Sequence, residues 1–381
     1  MSGRKLLPGL ALCLSLAAHA GFDEGMRAYQ TQDYSTALKE LQPLAAAGDA
    51  RAQNTLGLMY MAGQGVPRDD AQAAAWLRRA AEQGLAKAQS NLGILYATGQ
   101  GVPQDYAQAL VWFRKAADQG YGEANLANMY FNGLGVTRDY AQAALWYRRA
   151  AEQDDVNAQT NLGAMFVDGL GVHQDYAQAF KWFQQAAARG APEPEYDLGM
   201  LYEGGKGLPK DPARAAEWYR KSAAQGYERA EYSLGLMLLE GRGVQKNPKV
   251  GFSLMQSAAE QGDADAEFRL GVAYSFGEGI PADNVVADAW YRKAAIQGHA
   301  AALNNLGRLY EEGKEVSKDP VLALMFYMLA GGSGDHTAIA NQFRLGPLMS
   351  AAQRAEARQM ATAWKPGTEL PVSSKSGAAG Q

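Results

Sequence analysis

The side chains that most often carry chemistry are few in this chain and do not converge. It has four histidines and one cysteine. His173, His299 and His336 fall in different stretches of sequence, with no carboxylate or cysteine at metal-ligand spacing. No Gly-x-Ser-x-Gly elbow is present, and the only Ser-x-x-Lys runs from Ser2 to Lys5 at the extreme N-terminus. Gly204-Gly205-Lys206-Gly207 lacks the Gly-Lys-Ser/Thr ending of a phosphate loop and follows no strand. No catalytic, metal-binding or cofactor-binding residue is assigned, and no cofactor is expected.

What the sequence offers instead is amide chemistry. Asn125, Asn128 and Asn132 are spaced by three and four residues, which puts them on one face of a helix, opposite Leu126 and Tyr130. Asn is a mediocre helix former, and its amide both donates and accepts, which suits a peptide backbone. A merely solvated face is the competing reading. Equivalents of Asn125 recur as Thr55, Asn91, Asn161, Asp197, Ser233, Arg269 and Asn305, all polar. Three residues beyond each stands Leu58, Ile94, Ala164, Met200, Leu236, Val272 or Arg308, mostly apolar. A polar row beside an apolar row makes a recognition groove, unless the next repeat covers it. The expected contact residues are Asn91, Asn125, Asn128, Asn132, Asn161, Asp197, Asn305 and Arg308.

The elements that position these residues come from a phrase repeated almost every 36 residues. It runs Leu92-Gly93, Tyr96, Gly99, Gly101, Val102, Asp105, Tyr106, Ala109, Trp112, Ala116 and Ala117. Such a period marks stacked supersecondary units. A first helix, A, carries Ala52, Leu56, Met59 and Tyr60 on one face and ends at a Gly-x-Gly pair suited to a left-handed helix cap. The pair is Gly63/Gly65 in the first unit and recurs through Gly277/Gly279, with Gly313/Glu315 the one departure. Four residues later comes Asp or Asn, from Asp69 to Asp319, which starts helix B. Gln72, Gln108, Gln142 and Gln178 three residues on give the Asp-x-x-Gln form of a capping box. Trp76, Trp112, Trp146, Trp182, Trp218 and Trp290 share one position on helix B and are expected in the core. There truncation of a fully buried one costs about 3–5 kcal/mol. The basic or amide pairs after them, such as Arg78-Arg79 and Arg148-Arg149, read as a solvated side.

This pattern resembles the Sel1-like repeat family, relatives of tetratricopeptide repeats, over eight units. The resemblance implies an all-α fold: a right-handed α-solenoid superhelix of αα-hairpins with helix A on the concave side, a form that binds proteins. Residues 21–48 resemble a shorter tetratricopeptide-like cap, 49–334 hold the eight repeats, and 335–365 form a C-terminal capping region. In that region Ala355, Met360 and Trp364 are expected to cover the last repeat. Residues 366–381, rich in Ser, Gly and Pro, are expected to be disordered. One step is short: Trp112 to Trp146 is 34 residues, with the loss at the start of a helix A, and Asp154 stands where helix B elsewhere ends in glycine. The shortening is either a local change of twist or neutral drift.

Residues 1–20 read as a signal peptide: Arg4 and Lys5, an apolar stretch, then Ala18-His19-Ala20 before cleavage at Gly21. Cys13 lies inside it, so the exported chain has no cysteine. Losing Arg4 and Lys5, and no acid, takes the net charge from −4 to −6. No basic block is present, which argues against nucleic acid, and nothing after the leader is long and apolar enough to span a membrane. The expected function is a non-catalytic protein-binding scaffold in the bacterial cell envelope, periplasmic or secreted, with a protein or peptide partner. The alternatives are an envelope hydrolase acting on peptidoglycan or β-lactams, and a secreted adhesion or virulence factor. The resemblance raises the first, because some exported members of the family have been linked to β-lactams. No residue of the chain supports it.

Overall fold

The computed structural model describes residues 20–373, and among them every regular element is helical. The expected leader, with its cleavage motif and Cys13, lies outside the described residues apart from Ala20. The chain divides into two compact units, one ending at Ala186 and the other beginning at Ala187. Within each, consecutive helices pair antiparallel as helix A and helix B. In the first unit residues 20–30 pair with Tyr34–Ala46. Ala50–Ala62 then pairs with Asp70–Glu82, Ala86–Thr98 with Tyr106–Ala117, and Glu123–Asn132 with Tyr140–Glu152. Val156–Asp168 is followed by Tyr176–Ala187, at whose end the unit boundary falls. The second unit pairs Pro192–Gly204 with Pro212–Ala223, Glu228–Glu240 with Pro248–Glu260, Ala264–Phe276 with Asn284–Ile296, and Ala300–Glu312 with Pro320–Gly332. His336–Leu345, a 3-10 turn at Gly346–Leu348 and the helix Ala351–Ala363 close it.

In seven of the eight repeats the contact that makes the hairpin is a glycine of helix A beneath a large side chain of helix B; in the shortened repeat Ala127 stands at that place. A Cβ on Gly93 would meet the Phe113 ring at 2.6 Å, and one on Gly199 the Tyr219 ring at 2.5 Å. Leu77, Phe183, Met255, Tyr291 and Tyr327 stand over Gly57, Gly163, Gly235, Gly271 and Gly307 in the same way. The Leu-Gly of the repeated phrase is therefore half of a knob-in-hole pair. The other half is the residue after the tryptophan position, and it is buried in every one of these pairs.

This corrects the expected core. Among the tryptophans only Trp146 is buried, and Trp76, Trp112, Trp182, Trp218 and Trp290 are half-buried. Except at Trp182, which Gln185 follows, a cation three residues on covers the ring: Arg79 lies 4.5 Å from the Trp76 centroid, Lys115 4.3 Å from Trp112, Lys221 3.9 Å from Trp218 and Lys293 4.0 Å from Trp290. The spacing of three puts cation and ring on one face, where the ring quadrupole attracts the charge. The basic pairs are thus partners of the repeat. The other arginine of the pair reaches the next helix A: Arg78 donates to the Tyr96 hydroxyl at 2.9 Å, and Arg114 donates to that of Tyr130.

Helix B starts as expected on its aspartate, but without a capping box. Asp69 accepts from the Gln72 backbone N–H at 2.9 Å, while its own N–H donates to the Tyr60 carbonyl at 3.0 Å, so Gln72 has nothing to cap in return. The same backbone bond recurs from Asp105 to Tyr96 and from Asp139 to Tyr130. The two glycines of each pair also differ in role. Gly99 ends helix A at φ 72°. Gly101 is needed because a Cβ there would lie 1.8 Å from the Asp70 carbonyl oxygen, where the loop rests on the preceding repeat's helix B. At the exceptional position Glu315 takes φ 60° itself and accepts from the Asn284 backbone N–H at 2.7 Å, turning a close approach into a helix cap.

Both ends carry extra structure. At the N-terminus Ala28, Ala37, Leu41 and Ala45 form one core with Ala52, Leu56 and Met59 of the first repeat. At the C-terminus Ala357 is the buried residue of the last helix, with Met360 and Trp364 packed beside it, while Ala355 is exposed. The segment expected to be disordered from residue 366 is packed as far as residue 373. Gly367 N–H donates to the Ile296 carbonyl at 2.7 Å, Leu370 is buried, and Ser373 donates to Asp319 at 2.8 Å. Composition alone hid this, because the anchoring partners lie in two earlier helices.

Candidate partner-binding face

The polar row of helix A is in large part a seam between repeats. Asn91 Nδ2 donates to Asn54 Oδ1 at 3.0 Å, Asn125 Nδ2 to Ser90 Oγ at 3.2 Å, and Asn305 Nδ2 to the Tyr291 hydroxyl at 3.1 Å. Asn132 donates to the Asn128 carbonyl at 3.0 Å, and the Asn128 amide oxygen accepts from the Tyr147 hydroxyl. Arg308 donates to Ser275 at 2.9 Å and lies 4.6 Å over the Phe276 ring. Burial and the neighbouring Glu193 carboxylate push Asp197 up to about 7, against the pull of Arg229. Asn128, Asn132 and Asn161 are exposed, whereas Asn91, Asn125, Asp197, Asn305 and Arg308 are half-buried. The equally spaced amides therefore first answer one another: stacking desolvates them, and a desolvated amide needs a partner.

A second seam, absent from the sequence-based reading, lies deeper. Gln83 donates to Gln53 at 2.7 Å, and Gln119 to Gln89 at 2.8 Å, across 30 residues each time. Gln53 and Gln89 in turn donate to the Ala45 and Ala81 carbonyls in the last turns of the preceding helices B, which also accept from the backbone of the turn that follows. Gln153 donates to Glu123 at 2.6 Å. In the second unit Gln225, Gln261 and Gln297 donate to Glu195, Glu231 and Glu267. Its signal was in the sequence: Gln83, Gln119, Gln153, Gln225, Gln261 and Gln297 each stand just before a helix-ending residue, with Gln or Glu 30 residues earlier, and only Arg189 and Ser333 depart from this.

The shortened repeat is where this face opens. Its helix A runs only from Glu123 to Asn132, ten residues against the usual thirteen, and starts at Gly122, whose φ is 71° and which offers no side-chain cap. The missing turn leaves a cleft of about 400 Å³ lined by Ser90, Asn91, Ile94, Tyr121, Gly122, Asn125 and Gln153, among others. Ile94 and Tyr121 are both 38% exposed there. Apolar contact and amide groups with remaining acceptor or donor capacity thus meet at one place. Two of the expected residues, Asn91 and Asn125, line it; Asn128, Asn132, Asn161, Asp197, Asn305 and Arg308 do not.

No group of three or more His, Cys, Asp or Glu among the described residues is placed to hold a metal ion. No helix among them is long and apolar enough to cross a membrane.

A family model described as Sel1 repeat matches residues 50–85, 86–121, 121–155, 156–190, 195–227, 228–263, 264–299 and 300–335. No curated protein matches the chain. Among solved structures, c5321, a protective antigen of uropathogenic Escherichia coli strains displaying an SLR fold, is 38% identical with a TM-score of 0.69. That match covers 84% of this chain and 70% of the other. A Sel1 repeat protein from Oxalobacter formigenes is 31% identical with a TM-score of 0.63, over 81% of this chain and 90% of its own. Proteins of this kind generally serve as protein-interaction scaffolds and are typically non-catalytic. Eight matched units, the glycine-and-knob hairpins and the αα-stacking agree, and the chain belongs to the Sel1 repeat family.

Proposed function

We propose that this chain is a non-catalytic scaffold exported to the bacterial cell envelope, and that it grips a protein segment at the cleft opened by the shortened repeat. The carrying observation is the coincidence of the lost helical turn, the exposed Ile94 and Tyr121, and the amides of Asn91, Asn125 and Gln153 around one cleft. A partner chain laid there sets apolar side chains against Ile94 and Tyr121 and its backbone against the amides. Export rests on the leader pattern of residues 1–20.

The test is in-cell crosslinking from a photoreactive residue at Tyr121, followed by mass spectrometry. A single partner species lost on Ile94→Glu supports the reading. A spread of unrelated proteins, unchanged by that substitution, overturns it. Because Asn125 holds Ser90, the substitution Asn125→Ala is expected to lower both binding and stability, so the exposed Ile94 is the cleaner probe.

The likeness to a protective antigen favours a second reading, in which the chain is displayed or released outside the cell. Fractionation decides it: mature chain in the supernatant or accessible to protease on intact cells supports release or display, and protection until the envelope is opened supports the periplasm.

A further inference from the structure

At the end of the second unit the repeat register continues past the eighth repeat and then breaks. Asn341 donates to Asn304 at 3.0 Å just as Asn91 does to Asn54, so His336–Leu345 stands in the position of a ninth helix A. Gly346 occupies the place of Tyr96, Tyr130 and Tyr310, and Met328 that of Arg78, Arg114 and Arg292. In those repeats the arginine donates to the tyrosine hydroxyl and the ring fills the space between helix B and the next helix A. Here neither is present. A cavity of about 460 Å³ opens instead, bounded by Leu324, Met328, Phe343, Pro347, Arg354 and Arg358.

The same helix is uncovered where every other helix A meets its helix B. Phe343 replaces the glycine of that contact, and the following helix, Ala351–Ala363, packs on Pro320–Gly332 instead. Phe343 and Leu348 are both 78% exposed. An exposed phenylalanine beside an apolar hollow is a surface awaiting a partner. Its rim is basic. Arg354 donates to the Gly346 and Met349 carbonyls, and Arg358, one turn on, is exposed; neither makes an ion pair with a described carboxylate.

We infer that this face docks an amphipathic α-helix of a partner protein, one that carries Asp or Glu beside its apolar stripe. A helix is indicated because the register reserves this face for one. The incoming helix sets a large apolar side chain over Met328, where tyrosine sits elsewhere, and a small residue against Phe343, reversing the glycine-and-knob pair. Its carboxylates meet Arg354 and Arg358. The surface is independent of the function proposed above, since none of its residues lines the cleft of the shortened repeat.

The test uses the full chain and two synthetic amphipathic Ala/Leu peptides of about 14 residues, or roughly four turns. One is flanked by Glu and the other by Lys, and binding is read by fluorescence anisotropy. The Glu peptide is expected to bind roughly tenfold more tightly than the Lys peptide. Phe343→Glu and Arg358→Glu are each expected to weaken it about tenfold, with an unchanged melting temperature because both side chains are exposed. Phe343→Ser serves if the charged variant melts early. Failure of the Glu peptide to bind, equal binding of both peptides, or indifference to the Phe343 substitutions overturns the inference. So does a concentration-dependent dimer in sedimentation that Phe343→Glu abolishes, which assigns the face to a second copy of the chain.

Discussion

In the first unit Gln83 and Gln119 donate to Gln53 and Gln89, whereas in the second Gln225, Gln261 and Gln297 donate to Glu195, Glu231 and Glu267. The hairpins are built alike, yet the first unit closes this seam with amides at Gln53 and Gln89 and with a buried carboxylate only at Glu123 of the shortened repeat, whereas the second uses buried carboxylates at all three places. An amide at this position passes the bond on to the preceding helix, as Gln53 does to Ala45, and a carboxylate has no proton with which to do so. Burial pushes the Glu195 and Glu267 carboxyls up, opposed by Gln225 and Gln297 and by Lys221 and Lys293. Asp197 and Asp263 of the same unit are also raised by burial. The shared core thus fixes the fold, while these raised carboxyls give the second unit a pH dependence of its own.

The largest effect should be common to both units. Phe113→Ala and Tyr219→Ala each remove a knob from its glycine and should cost about 3–5 kcal/mol by chemical denaturation. A much smaller cost in one unit would mean that the hairpins are not equivalent. Next is the tail: deleting residues 366–381 uncovers the site of Leu370 and removes the bonds of Gly367 and Ser373, and should lower stability by about 2 kcal/mol. An unchanged melting temperature would contradict the packed tail.

The pH contrast is smaller and sharper. A raised carboxyl contributes stability that is fully present below its unfolded value, about 4, and is lost as pH rises through its folded value. For Asp197 the window runs from about 4 to about 7. Asp197→Asn should therefore gain on the order of 1–2 kcal/mol at pH 8 relative to its effect at pH 4, measured by denaturant midpoints. Glu195→Gln and Glu267→Gln should act in the same direction and by less. Equal pH profiles in all these variants would dissolve the contrast. Smallest of all, Asn161→Ala is exposed and should stay within about 0.5 kcal/mol.

Much of the architecture was legible because it repeats. Seven Gly-x-Gly pairs and one Gly-x-Glu, eight Asp or Asn caps and the 36-residue period marked the number and order of the repeat helices. The 34-residue step correctly marked the one helix A that starts late. The tryptophans misled because size was taken for depth: the residue that meets helix A's glycine is the one after them, 100° around the helix. The asparagine row was found but its first role was missed, since Asn91 and Asn125 are answered by Asn54 and Ser90 from the preceding repeat, whose register a helical wheel of one unit does not contain.

By itself the sequence determined the repeat, its caps and its family, because backbone demands such as a left-handed glycine or an aspartate at a helix start are local and recur at every turn of the period. Only the tertiary structure decided which polar groups remain for a partner. Stacking brings residues 30 to 37 positions apart into hydrogen-bond distance, and the two places where that stacking falls short, at Gly122 and at Gly346, are where the surface opens.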